Sequence, residues 1–277
     1  MSLEHLRKQI DRIDEELIRL LNERVRIARE IGKTKKTQGG EIYVPSREKA
    51  VVDRIAALNN GPLPAGAARA IYREIMSASL ALEGDLKIAY PGPSATFAHH
   101  AALSRFGASV DCHPVGTITD VFTAVERDTA DYGVVPVEDI SRPVITDTLD
   151  GFTDTPLKIC AEIYWSDGQK AGGRSARFFV IGRVCDAPSG DDKTSICFSV
   201  EDENDALRKA LDSLEAGGIR LIQIEPYLFK NGSKHSRFFA DVEGHADEPV
   251  VKKGLTAFGK HCTALAVLGS YPKAGGV

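Results

Sequence analysis

Two basic side chains stand on an otherwise apolar face near the start of the chain. Leucine and isoleucine recur there at steps of three and four residues, and Arg24 fills the slot between Leu20 and Ile27. A charge that faces a core costs several kcal/mol unless an anion meets it, or unless the side chain bends out to water or to a nearby glutamate. Lys35 lies about three turns plus 20° further along a helix, so both cations follow one line. The pattern favours a site for an anion.

Other candidate site residues occur in the same segment. Arg7 precedes Arg24 by roughly 25 Å of helix, so it reaches the same site only from a second, antiparallel chain. Four more polar residues open a second helix or share one face of a third: Arg47, Glu48, Ser79 and Glu83. Taken singly, each is explained by a solvated helix face with surface ion pairs. Together they describe a pocket rich in guanidinium and ammonium groups, suited to a small dianion.

Three helices are predicted to carry these residues, over about 3–36, 45–60 and 64–83. At 1.5 Å per residue the first helix would be roughly 50 Å long, more than two short helices can cover. We therefore expect a second copy of the chain to cover it, in a homodimer or a higher homo-oligomer.

Strands replace helices after Gly84-Asp85, and the predicted fold is multidomain, α and α/β. An all-helical three-helix domain over 1–84 is followed by a single α/β lobe over 85–185, with βαβαβ order and two further strands. Residues 186–192, rich in Pro, Gly and Asp, are predicted to be a linker. The order over 193–277 is βαββαβ, which is typical of ferredoxin-like domains.

The composition excludes several classes of function. The 277 residues are 43% hydrophobic and 27% charged with a net charge of -4, so no overall field attracts nucleic acid or an anionic membrane. The charged start MSLEHLRKQI predicts no secretory signal, and no apolar run reaches the roughly 18 to 20 residues of a membrane span. Five scattered cysteines without a C-x-x-C pair predict reduced thiols in the cytoplasm and no zinc site.

Three strings carry a resemblance over residues 3–83. They are LRKQIDRIDEELIRLLNERVRIAREIGKTK, VPSREKAV and YREIMSASLALE. Together they resemble the all-helical chorismate mutase domain that begins bacterial P-proteins, which combine chorismate mutase with prephenate dehydratase. The resemblance implies an intertwined dimer that converts chorismate to prephenate in aromatic amino acid biosynthesis. This unimolecular pericyclic rearrangement needs no nucleophile, metal or cofactor; it uses an enforced compact conformation and fixed positive charge.

The resemblance also implies a role for each candidate residue. Three arginines and a serine would hold the two carboxylates of chorismate: Arg24, Arg47, the partner's Arg7, and Ser79. Glu48 would bind the ring hydroxyl, while Lys35 and Glu83 would face the ether oxygen, where negative charge develops. Many members of the family carry Gln at the position of Glu83, and an ionised carboxylate there would repel the oxygen. We therefore predict that Glu83 acts protonated, with its pKa raised by burial.

Residues 86–182 resemble the prephenate dehydratase of P-proteins, through IAYPGPSATFAHHAAL, DYGVVPVEDI, TDTLDGF and ARFFVIG. Two motifs depart from that family. Glu-Asn-Ser reads Glu-Asp-Ile at 138–140 and is followed by Arg142-Pro143, and Thr-Arg-Phe begins with Ala176, which has no hydroxyl to donate a proton. Only twelve residues separate Ile163 from Ala176, whereas one βαβ unit needs roughly 30, so a second lobe cannot fit. We expect the dehydratase part to be inactive and its remaining polar residues to be scaffold: Thr96, His99, His100 and Thr148.

The last segment resembles an ACT domain, the phenylalanine sensor of P-proteins, most closely at FFADVEGHADEPVV and LAVLGSYP. Its two ligand motifs are altered, to Asp205-Ala206-Leu207 and to Glu-Pro-Tyr-Leu at 225–228. Asp205 places a side chain and a charge where a glycine would approach the amino acid, so phenylalanine binding is not expected. Side-by-side dimerisation and a different effector both remain open.

The leading hypothesis is a chorismate mutase, an isomerase, with inactive dehydratase-like and ACT-like parts. Two alternatives stay open. One is a bifunctional chorismate mutase/prephenate dehydratase that forms phenylpyruvate. The other is a non-catalytic regulatory partner of an aromatic-pathway enzyme, against which the complete cationic set of the helical segment argues.

Overall fold

The computed structural model describes five ranges of the chain, and its contacts divide the chain into two compact units. The described residues are 2–139, 144–168, 175–201, 205–227 and 236–274. The first unit consists of Met1–Tyr43, Val52–Leu86 and Phe106–Asp111. The second consists of Val44–Val51, Lys87–Arg105 and Cys112–Val277. The sequence also predicts a turn at Asn231-Gly232 and a helix that starts at Asn204. These residues lie outside the described ones, as do Ile140, Arg142-Pro143 and Leu228 of the altered motifs.

Three helices precede the first strand, close to their predicted positions: α1 (Leu3–Gln38), α2 (Pro45–Leu58) and α3 (Ala65–Glu83). Ser2 caps α1 by accepting a hydrogen bond from the His5 N–H at 3.2 Å. Gly39, with a φ of 70°, ends α1 in the left-handed conformation that suits glycine. The boundary between the two units falls inside α2.

A long apolar face of α1 lacks cover within the first unit. Only Ala28 and Gly32 are buried along this helix. Nine large apolar side chains, between 42% and 63% exposed, form what we call the apolar face of α1: Leu3, Leu6, Ile10, Ile13, Leu17, Ile18, Leu20, Ile27 and Ile31. Contiguous exposed apolar surface of this kind marks an interaction site.

The second unit contains a five-stranded sheet in the order β2-β1-β3-β5-β4. Its strands are β1 (Lys87–Pro91), β2 (Asp111–Val115), β3 (Tyr132–Asp139), β4 (Lys158–Ser166) and β5 (Ser175–Gly182). Its helices are α4 (Phe97–Phe106), α5 (Ile118–Glu126) and α6 (Thr146–Gly151). β1 and β3 are parallel, whereas β5 pairs antiparallel with both β3 and β4. Ser166 faces Ser175 in register, so residues 167–174 alone join β4 to β5.

A four-stranded antiparallel sheet follows, in the order β7-β8-β6-β9. Its elements run βαββαβ: β6 (Asp192–Val200), α7 (Ala206–Ala216), β7 (Leu221–Tyr227), β8 (Ser236–Glu243), α8 (Pro249–Gly259) and β9 (Ala264–Pro272). α7 and α8 cover one face of this sheet through a core that includes Leu214, Leu255 and Phe258.

The two sheets share a second hydrophobic core within this unit. The ring of Phe179 on β5 lies 6.1 Å from that of Phe239 on β8 and 6.0 Å from that of Tyr271 on β9. The edge strands β4 and β9 touch through their backbones, because a Cβ on Gly269 would overlap the main chain of Ile159. No helix in the described part of the chain is long and apolar enough to cross a membrane.

Candidate active site

Arg24 on α1 meets Ser79 on α3. Its Nη1 donates a hydrogen bond to the Ser79 Oγ at 2.5 Å, and that hydroxyl donates in turn to the Ile75 carbonyl at 2.9 Å. Ser79 is 3% exposed, so its position is fixed by packing as well as by hydrogen bonds. A hydroxyl orients the guanidinium but does not neutralise it. Arg24 can therefore present positive charge to an anion.

Glu83 on α3 interacts electrostatically with Lys35 and Arg24, the two cations that the sequence predicts for the site. Burial raises the pKa of Glu83 above its ordinary value, while the charges of Lys35 and Arg24 oppose the shift without cancelling it. The direction agrees with the prediction from sequence. The Lys35 ammonium donates to the Ile42 carbonyl at 3.0 Å, which occupies one of its three N–H groups.

A close approach of two helices positions Glu83. A Cβ on Gly32 of α1 would lie 3.0 Å from both the Cβ and the carbonyl oxygen of Glu83. Because only glycine leaves room for this contact, α3 can place Glu83 directly against α1 near Lys35. Sequence reasoning noted no role for Gly32. An isolated glycine inside a long helical pattern was the available signal.

The other predicted site residues are placed differently. Arg47 is exposed and Glu48 is half-buried on the part of α2 that belongs to the second unit. Glu48 Oε2 lies 3.1 Å from Nη2 of Arg105 on α4, a contact that sequence reasoning missed. Arg7 is exposed on α1. That Arg47, Glu48 and the partner's Arg7 join Arg24 in one site stays a prediction.

A buried ion cluster occupies the space between the two sheets. Its members are Glu138, Glu162, Arg177, Lys193 and Asp241. Arg177, the arginine of the dehydratase-like motif, is 1% exposed and donates to Glu162 at 3.1 Å, Glu138 at 2.8 Å and Asp241 at 2.5 Å. Lys193 lies 2.5 Å from Glu162 and 3.3 Å from Asp241. The guanidinium is thus engaged with protein carboxylates and joins the five-stranded sheet to the four-stranded one.

The remaining polar residues of the dehydratase-like segment make structural contacts. Thr148 is fully buried and donates to the Pro136 carbonyl at 2.5 Å. His99 accepts from the Ala95 N–H at 3.0 Å and stacks on Tyr90. Among the described residues, no group of three or more His, Cys, Asp or Glu side chains could hold a metal ion.

The altered ACT-like motifs also have defined surroundings. Asp205 lies at the start of α7 and forms an exposed ion pair with Arg208 at 3.3 Å. Tyr227 is buried at the end of β7. A cavity of about 220 Å³ lies beside Tyr227, between α6 and the four-stranded sheet, with Phe152 and Arg237 in its lining.

Comparison with known proteins separates the helical segment at the start of the chain from the α/β segment that follows it. The family model of chorismate mutase type II matches residues 6–84, and that of prephenate dehydratase matches residues 88–167. The solved prephenate dehydratase from Streptococcus mutans superposes with a TM-score of 0.56 and 30% identity, over 67% of this chain and 97% of that chain. The chain thus combines a helical chorismate mutase domain with an α/β fold of the prephenate dehydratase type.

Two curated relatives match over almost their whole length. The bifunctional chorismate mutase/prephenate dehydratase of Aquifex aeolicus is 37% identical over 99% of this chain and 98% of its own length. The enzyme of the same description from Pseudomonas aeruginosa is 32% identical over the same shares. This chain belongs to the bifunctional chorismate mutase/prephenate dehydratase family. The first alignment extends over 356 positions against 277 residues here, so the relative carries segments without a counterpart in this chain.

Proposed function

We propose that this chain catalyses the rearrangement of chorismate to prephenate. The observation that carries the proposal is the convergence of Arg24, Ser79, Lys35 and Glu83 where α1 meets α3. Arg24, oriented by Ser79, supplies a fixed cation for a carboxylate. Lys35 and a protonated Glu83 supply donors for an oxygen that gains negative charge.

The reaction requires only that the protein position the substrate and supply charge around it. In the rearrangement the ether C–O bond breaks while a C–C bond forms within one molecule, so no proton or group is transferred to the enzyme. Holding the substrate in the compact conformation removes entropy from the barrier, and donors at the ether oxygen stabilise the transition state. The half-buried surroundings of Glu83 strengthen both effects, because charges interact more strongly away from water.

We propose that the site is completed by Arg47, Glu48 and the partner's Arg7 in a homodimer. The apolar face of α1 supports this, since fully burying one such side chain contributes about 1.5–3 kcal/mol. An antiparallel copy of α1 would cover the face and bring a second Arg7 near Arg24. The oligomer is therefore part of the catalytic proposal.

Dehydration and decarboxylation of prephenate to phenylpyruvate is a second candidate function. Alignment of nearly the whole chain with bifunctional relatives favours it over an inactive dehydratase part. The expectation of inactivity rests on Ala176, on the short connection between β4 and β5, and on the engagement of Arg177 with carboxylates. An active dehydratase part would form phenylpyruvate, whereas an inactive one would leave prephenate.

Purified protein supplied with chorismate tests both activities. The ultraviolet absorbance of chorismate falls if the mutase is active, and product is identified before and after acid, which converts prephenate to phenylpyruvate. Phenylpyruvate before acid establishes the bifunctional enzyme; prephenate alone establishes a mutase with an inactive dehydratase part. Unchanged chorismate would refute the proposed function and favour a regulatory partner.

A single substitution tests the assignment of the site. Arg24→Ala removes the oriented cation that would hold a substrate carboxylate, and we expect kcat/KM for chorismate to fall by about 100-fold or more, because that carboxylate would be left without its charged partner. Arg208→Ala, on an exposed ion pair of α7, is the matched control. Turnover of Arg24→Ala within threefold of the control would refute the assignment.

We further propose that the βαββαβ part is an ACT-like, ferredoxin-like domain that acts in assembly or regulation. Its strand order and two covering helices support this. We also place the protein in the cytoplasm, which its five cysteines, scattered along the sequence without a C-x-x-C pair, support.

A further inference from the structure

The first turn of α2 is held by residues of the second unit. The Ser46 N–H donates to Oδ2 of Asp186, in the segment between β5 and β6, at 2.6 Å. Glu48 makes its 3.1 Å ion contact with Arg105 on α4. Lys49 Nζ lies 3.7 Å from Oδ2 of Asp191. Three successive contacts thus fix one turn of helix.

Asp186 supplies a cap that the local sequence lacks. Tyr43 and Val44 precede Pro45 at the start of α2, and neither side chain can accept a hydrogen bond from the first turn in the way that Ser, Thr, Asp or Asn does. Proline has no N–H, so the Ser46 N–H is the first free donor of the helix. A carboxylate is the favoured partner there, because it also complements the helix dipole.

Asp186 is itself fixed by the four-stranded part of the unit. His245, which lies before α8 and is 3% exposed, donates from Nε2 to the Asp186 carbonyl at 3.0 Å. Its Nδ1 accepts from the Asp247 N–H at 3.1 Å, which assigns the proton to Nε2. A continuous set of hydrogen bonds therefore runs from the start of α8 through Asp186 to α2.

We infer that Asp186 and Arg105 are positioning residues for the mutase reaction. They hold the turn that carries Arg47 and Glu48, which bind substrate in the function proposed above, and the inference rests on that function. The orientation of this turn determines where the Arg47 guanidinium and the Glu48 carboxylate contact chorismate. The dehydratase-like and ACT-like parts of the chain thereby control substrate affinity at the mutase site.

Kinetics of the full-length chain with chorismate test this inference. Asp186→Ala leaves the Ser46 N–H without its partner, and we expect KM to rise about five- to tenfold with a smaller change in kcat, because loss of the cap destabilises the turn that binds substrate. Asp186→Asn keeps an acceptor oxygen and should recover most of the loss. Asp212→Ala, an exposed aspartate of α7, is the control.

A second pair of variants approaches the turn from its other side. Arg105→Met removes the cation beside Glu48 and should raise KM in the same range, whereas Arg105→Lys should restore it in part. Thermal unfolding is measured for every variant, so that a folding defect in one is recognised and the conservative variant decides.

The outcomes separate this inference from the function on which it rests. Active wild-type protein with an unchanged KM in Asp186→Ala would overturn the inference alone. Equal loss in Asp186→Ala and Asp186→Asn would also overturn it, because the acceptor oxygen would then have no role. Wild-type protein that leaves chorismate unchanged would overturn the proposed function and this inference with it.

Discussion

At the scale of single residues, Glu83 gives the proposed reaction a pH dependence. Its pKa is raised by burial, and the proposed role needs the protonated form. Wild-type activity should therefore be complete below that pKa and fall about tenfold per pH unit above it. Glu83→Gln is neutral at every pH and keeps a donor, so its activity should persist at high pH.

The pH profile of kcat/KM checks this prediction, with Glu215→Gln on an exposed position of α7 as the control. Parallel profiles for wild type, Glu83→Gln and the control would show that the proton on Glu83 has no part in the reaction.

Which site residues could be predicted depended on how far apart the contacting residues lie in the sequence. Arg24 and Lys35 follow from the geometry of one helix, Ser79 and Glu83 share one face of another, and the resemblance assigned a role to each. Asp186 could not be predicted, because it meets Ser46 across 140 residues and nothing in either local sequence specifies the contact. The absence of a capping residue before Pro45 was the one available hint.

At the scale of elements, the apolar face of α1 predicts that the first unit is completed by a second chain. Ile13→Glu places a charge in the middle of that face, where burial would cost several kcal/mol. We expect the proposed dimer to dissociate and mutase activity to fall with it, because the site would lose the Arg7 that we propose the partner supplies.

Sedimentation velocity at several protein concentrations, alongside the chorismate assay, measures both effects. Asn22→Glu, half a turn round α1 from Ile13, introduces the same charge outside the face and should leave both unchanged. A dimer that survives Ile13→Glu with full activity would rule out this face as the interface.

Helix and strand positions could be predicted within a few residues, because periodicity is a local property. α3, for example, was expected from about Pro64 and begins at Ala65. The joining of the two sheets in one core could not be predicted. Asp241 and Lys193 have the charges of solvent-facing strand residues. Both are nevertheless buried, because Asp241 pairs with Arg177 and Lys193 pairs with Glu162, and both partners belong to the other sheet.

At the scale of the molecule, the buried ion cluster predicts how firmly the second unit holds together. Arg177→Met leaves three carboxylates with Lys193 as their one remaining cation in the cluster, so we expect a loss of about 3–5 kcal/mol in the free energy of unfolding. Arg220→Met breaks an exposed pair with Glu243 and should leave the free energy of unfolding nearly unchanged.

Urea denaturation of the three proteins provides the comparison. Adding Asp241→Asn to Arg177→Met should recover part of the loss, since it removes one uncompensated charge. Equal stability of Arg177→Met and Arg220→Met would mean that the cluster does not hold the sheets together.

The contact of Gly269 with the main chain of Ile159 determines how a displacement passes from one sheet to the other. At Gly269 no side chain separates β9 from the main chain of Ile159 on β4, so no rotamer at this position could absorb a displacement of one strand against the other. We expect a shift of the β9 edge to be passed directly to β4. The two sheets should therefore move together as one rigid body and unfold in one cooperative transition.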